Sequence, residues 1–122
     1  MSAHRSSADD AALAALDDLI GCIDESVEEL QRARVRAEHL MRERRAGRPW
    51  LEMVTAESRP LVVESVSTVL AKLATAGHRW RREEAAALQR EQISINRIAA
   101  LFGVTRQRIS ALLRDQDGEP AA

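Results

Sequence analysis

Arg106, Gln107, Ser110 and Arg114 put two guanidinium groups, a carboxamide and a hydroxyl into one short stretch. At about 100° per residue Gln107, Ser110, Ala111 and Arg114 share one side of a helix, with Arg106 and Arg108 flanking it. A carboxamide makes paired hydrogen bonds to adenine and a guanidinium makes them to guanine, so this face suits the base edges of a DNA major groove. The expected base contacts are Arg106, Gln107, Ser110 and Arg114, with Arg106 either sharing that task or holding a phosphate. Ser94, Asn96 and Arg97 open the preceding apolar segment, where free N–H groups favour an anion. With Thr105 and Arg108 they are the expected phosphate contacts, although Thr105 is equally suited to capping a helix.

Such groups are useful only if two short helices cross and hold them. In residues 95–114, INRIAALFGVTRQRISALLR, the apolar Ile98, Ala99, Phe102, Val104, Ile109, Leu112 and Leu113 fall where crossing helices pack. Ala99 is small at the point of approach, and Gly103 stands where the chain leaves the first helix and needs a positive φ. The spacing is that of a helix-turn-helix. A plain helical hairpin with solvated arginines is the alternative. The agreement of small residue, turn glycine, cap and basic outward face favours the first reading.

A wider frame, Ala87-Leu88, Ser94, Ile98-Ala99, Gly103-Val104-Thr105, Ile109 and Leu112, resembles the three-helix DNA-binding domain of bacterial transcription regulators and of the resolvase and invertase recombinases. In that domain a leading helix braces the pair. The Gly-Val-Thr-Arg-Gln-Arg-Ile run also resembles small actinobacterial-type DNA-binding proteins. The resemblance implies double-stranded DNA as a partner. It covers the C-terminal end alone, so recombinase catalysis is not carried over. One departure is Gln92, where such sequences often have Gly. A glutamine there either bears a left-handed backbone penalty or shifts the turn by a residue.

The whole chain has a formal net charge of -1, which conceals a strong polarity. Residues 78–114 hold eight Arg against three Glu, a balance of +5, whereas residues 7–31 hold eight Asp or Glu and no Lys or Arg. One end is therefore suited to phosphate and the other is kept from it.

With 122 residues, scarce Gly, Pro and aromatics, and abundant Ala, Leu, Arg and Glu, the composition points to an all-α chain. Neither a secretory signal nor a bilayer-length apolar run is evident, so a cytoplasmic, nucleoid-associated protein without a membrane partner is expected. Cys22, the only cysteine, is expected as a free thiol, with redox sensing or an intersubunit bridge as minor readings. His4, His39 and His78 are far apart, and there is no zinc-like spacing or phosphate-binding glycine loop. No enzyme activity, metal or cofactor is expected.

Residues 7–45 read as one long helix. Leu13, Leu16, Ile20, Ile23, Val27 and Leu30 alternate at three and four residues, continuing more weakly through Arg34, Ala37 and Met41. With Leu13 at position a, the g positions hold Ala12, Leu19, Ser26, Ala33 and Leu40, and the e positions hold Asp17, Asp24, Gln31 and Glu38. Opposed e and g charges are missing, so a dimeric helical bundle is favoured over a parallel zipper. The expected dimerisation residues are Leu13, Leu16, Leu19, Ile20, Ile23, Val27 and Leu30. The acidic first half and the arginine-rich second half would complement each other in two antiparallel copies. The competing reading is a helix that folds back on its own chain.

Ala46-Gly47-Arg48-Pro49 breaks the pattern, Pro49 can start a short helix, and Trp50 is expected to anchor the junction by burial. Ser58-Arg59-Pro60 marks a further start, after which Leu61, Val62, Val66, Val69, Leu70 and Leu73 give an apolar face up to Gly77. Trp80 is expected to pack rather than to touch nucleic acid. The fold expected is all-α, a long N-terminal dimerising helix or helical bundle followed by a three-helix helix-turn-helix domain. Its parts are a disordered tail over 1–6, a helical assembly region over 7–77, a DNA-binding domain over 78–114 and a disordered acidic tail over 115–122. The function expected is homodimeric, sequence-specific DNA-binding transcription regulation on inverted half-sites. The alternatives are a protein-interaction module, associated with RNA polymerase or antitoxin-like, and a nucleoid-associated protein that bridges DNA.

Overall fold

No proline and a single glycine, Gly21, occur between Ser7 and Arg45, and the segment forms one 39-residue helix, α1 (Ser7–Arg45). The computed structural model describes residues 7–118 and adds α2 (Trp50–Ala56), α3 (Val62–Arg90), α4 (Ile95–Phe102) and α5 (Arg106–Gly118), with no strand among the described residues. The chain is all-helical. No helix among the described residues is long and apolar enough to cross a membrane. The tail expected over 1–6 and residues 119–122 of the C-terminal tail lie outside the described residues, whereas Asp115–Gly118, also assigned to that tail, continue α5. Gly77 is not a stop either, because α3 runs through it to Arg90.

Helices α1, α3 and α4 end the same way. An amide one or two residues past the helix bonds three residues back, and the next amide reaches five residues back: Gly47 to Arg44 and Arg48 to Glu43, Gln92 to Gln89 and Ile93 to Leu88, Gly103 to Ala100 and Val104 to Ala99. This Schellman arrangement satisfies carbonyls that a helix end leaves free, and requires a left-handed residue. Gly47 (φ +98°) and Gly103 (φ +68°) supply it at low cost, and Gln92 adopts it at φ +69°. Of the two outcomes open to Gln92, the backbone penalty is the one realised.

Two compact units divide the chain, one made of residues up to Ile20 with Thr75 onward, the other of Gly21–Ala74. In the second unit, Ser26 and Ala33 of α1, Met53 of α2, and Ser65 and Val69 of α3 are buried. Arg36 of α1 donates to the Ser58 carbonyl at 2.8 Å and lies 3.6 Å from Glu57. The start of α3 is capped by carboxylates, since the Leu61 N–H donates to Glu64 at 2.8 Å and the Val62 N–H donates to Glu57 at 2.9 Å. Negative charge is favourable at that helix end. The Leu61 amide, helped by the Arg59 charge, holds the Glu64 carboxyl below its usual range. Arg48 bonds Glu43 at 2.5 Å and Glu52 at 3.1 Å, and the first of these bonds depresses the Glu43 carboxyl in the same sense.

Trp50 departs from expectation. It is 57 % exposed, with the Arg44 guanidinium 5.3 Å from its ring centroid, and Met53 is the residue of α2 that is buried. In a helix of seven residues only one side meets the protein, and Met53 occupies it.

In the first unit, α1 buries Ala12 and Ala15, and Asp18 pairs with Arg79 of α3. Trp80 is half-buried. The main core gathers Ala85 of α3, Ile98 and Ala99 of α4, and Ile109 and Leu112 of α5, with Leu88, Ile93, Ile95, Phe102 and Leu113 around it.

Candidate nucleic-acid interface

Ser94 precedes α4 in an extended conformation, and its Oγ accepts the Arg97 N–H at 3.1 Å. Thr105 does the same for α5, its Oγ1 accepting the Arg108 N–H at 3.1 Å. Each hydroxyl keeps its own O–H as a donor after accepting, so capping does not exhaust either group. Both caps act within three residues of their own position. They fix where each helix begins and therefore which way the side chains of its first turn project.

Asn96 and Arg97 are exposed on the first turn of α4. On α5, Ile109 and Leu112 face the core, leaving Arg106, Gln107, Arg108 and Arg114 exposed and Ser110 half-buried. Arg106, Gln107, Ser110 and Arg114 together line one open depression of about 360 Å³. The four residues expected to share a surface thus do so. Arg97, Arg106, Arg108 and Arg114 form no ion pair with another described residue, whereas Arg79 is paired with Asp18 and Arg81 with Glu84.

Sequence reasoning gave no role to Arg81. Its guanidinium lies 4.2 Å from the centroid of the Phe102 ring, a cation–π geometry, and the same cleft of about 580 Å³ is lined by Thr105, Gln107 and Arg108. The two residues are far apart in sequence, so spacing carries no signal of the contact.

Of the expected dimerisation residues, Leu13, Ile20, Ile23, Val27 and Leu30 are 40–51 % exposed. Leu16 and Leu19 are partly buried, Leu19 continuing the three-and-four spacing of the buried Ala12 and Ala15. Cys22 is a free, partly buried thiol. Among the described residues, no group of three or more His, Cys, Asp or Glu side chains is placed to hold a metal ion.

Two glycines offer a direct check on this backbone account. At both Gly77, inside α3, and Gly103, after α4, a Cβ would meet nothing within 4 Å, so conformation alone decides the effect of adding one. Gly77→Ala is expected to stabilise by about 1 kcal/mol, because alanine is the better helix former. Gly103→Ala should destabilise by about 1–2 kcal/mol through its left-handed φ. Urea unfolding curves should move in opposite directions, and a shift of both in one direction contradicts the assignment.

No protein-family model matches the chain, and no curated protein or solved structure shows significant similarity to it.

Proposed function

We propose that the chain is a sequence-specific DNA-binding transcription regulator, acting on duplex DNA in the cytoplasm as a homodimer. In this reading α4, the Gly103 turn and α5 form a helix-turn-helix braced by the end of α3, with α5 entering the major groove. The observation that carries it is the one depression lined by Arg106, Gln107, Ser110 and Arg114, on a surface whose arginines have no ion-pair partner among the described residues.

Gln107 pairs with adenine and Arg114 with guanine, while Arg106 and Ser110 contact neighbouring base edges. Ser94, Asn96 and Arg97 hold phosphate at the start of α4, where free N–H groups and the helix dipole add to the Arg97 charge. Thr105 and Arg108 hold phosphate at the start of α5. The phosphate contacts set register and the base contacts read sequence. Both sets sit on helices whose starts are fixed by side-chain caps and whose opposite faces are packed in one core. That gives the preorganisation a reading head needs.

Selection of bound sequences from a random duplex library by the purified chain, at physiological salt, tests the proposal. Enrichment of a two-fold-related motif is the expected result. Retention without enrichment would replace it with architectural DNA bridging, and no retention would replace it with a protein-interaction role.

A further inference from the structure

We infer that a second copy of the chain packs antiparallel against the exposed stripe of α1, so that the acidic first half of each α1 lies beside the arginine-rich second half of its partner. This rests on the homodimer of the proposed function and specifies its geometry.

Helix α1 has two seams. In the unit Gly21–Ala74 the seam turned inward is small, with Ser26 and Ala33 buried, and the large aliphatic residues Ile23, Val27 and Leu30 remain exposed beside it. On α3 of that unit Ser65 and Val69 are buried, while Val63 and Leu70 are 66 % and 61 % exposed. Val27 follows Ser26 and Leu70 follows Val69, so each exposed row lies about 100° round from its buried one. Because α3 returns antiparallel to α1, as the Arg36 bond to Ser58 and the cavity shared by Cys22, Ser26, Ser65 and Val69 require, that rotation brings both rows to the same side. The hairpin therefore presents one two-row aliphatic face. Patches of this kind mark association surfaces.

Charge selects the occupant and its direction. Residues 7–31 hold eight acids and no base, and residues 32–45 hold six Arg against two Glu. A single helix thus carries both halves of a complementary pair, as a two-fold symmetric contact with its own copy demands. A parallel arrangement would set Asp17 and Asp24 beside their own copies. An antiparallel arrangement centred on Val27 sets Leu13 opposite the partner's Met41, both residues being exposed. It also places the acidic stretch through Asp17 beside the partner's Arg42 and Arg45. Arg34, the polar break in the row, falls opposite Ile20, whose neighbours Asp17 and Asp24 supply counter-charge.

Leu13 and Met41 are 28 positions apart on α1, so cross-linking separates the two arrangements. Leu13→Cys and Met41→Cys are made singly in full-length Cys22→Ser protein, with a size tag on one, and mixed under oxidised glutathione after light scattering gives the mass. The expected result is a dimer in which the mixture forms the Leu13→Cys to Met41→Cys disulfide and Leu13→Cys alone does not cross-link. Val27→Glu, at the centre of symmetry, should weaken the dimer at least tenfold with unchanged circular dichroism. A dimer in which Leu13→Cys links to itself, or in which no mixed disulfide forms, overturns the antiparallel geometry and leaves the homodimer standing. A monomer at every concentration overturns both.

Discussion

Replacement of Ile98 by alanine is expected to cost about 2–5 kcal/mol of folding stability, the range for removing a fully buried branched side chain from a packed core. Ile98 has no exposed surface and stands among Ala85, Ala99, Ile109 and Leu112. Two of those neighbours are alanines, which have no rotamers with which to fill the vacated space, so the cavity persists and the cost belongs in the upper part of the range. The same side chain sets the crossing of α4 and α5, and its loss should reduce DNA retention together with stability. Leu101→Ala is the matched control, because Leu101 is on the same helix and 59 % exposed, and a surface change of that kind stays within about 0.5 kcal/mol. Urea unfolding followed by circular dichroism measures both. Equal midpoints for the two variants would place the core elsewhere.

The features legible in the amino-acid sequence are those that act locally. Ser94, Gly103 and Thr105 do their work within three to five residues of their own positions, through side-chain oxygens or a permitted left-handed φ, so their spacing sufficed to locate α4, the turn and the start of α5. Ala99 was legible for a related reason, since a small residue at a crossing has few other uses. Gln92 was legible as a departure, and it bears the left-handed φ that glycine would normally take.

The opaque features depend on which parts of the chain meet. The heptad pattern of α1 identifies where large aliphatic residues fall and gives no sign that the chain turns a different seam toward itself. Ala12, Ala15, Ser26 and Ala33 contribute little apolar surface, yet their small size admits a neighbouring helix, and they are the buried positions. The same limitation explains Trp50, whose bulk suggested burial although Met53 takes the single inward-facing place on α2. Gly77 carried a stop signal in the sequence, but α3 has packed residues on both sides of it, Val69 before and Ala85 after, and the helix continues. Arg81 over Phe102 is a contact between helices distant in sequence, visible only once α3 and α4 are placed.

Gln107→Ala and Arg97→Ala should separate sequence reading from phosphate attachment. Gln107 is exposed in the depression it shares with Arg106, Ser110 and Arg114, and its carboxamide has no hydrogen-bond partner among the described residues. Loss of a bidentate contact costs about 1–3 kcal/mol at the base pair concerned. Gln107→Ala should therefore relax preference at one position of the selected motif and leave affinity for unrelated duplexes unchanged. Arg97 is exposed on the first turn of α4, next to amides that already favour an anion. Its removal deletes one phosphate contact, which should weaken binding to all duplexes by a similar factor and reduce the slope of log affinity against log salt by about 1. Neither side chain supports the core, so each variant should unfold at the wild-type urea midpoint. Titration of both variants against the selected motif, each of its single-base variants and an unrelated duplex, at two salt concentrations, gives all the quantities needed. Identical profiles for the two substitutions would remove the division of labour between α5 and the start of α4, whereas a changed motif for Gln107→Ala alone would place α5 in the groove with that residue facing a base.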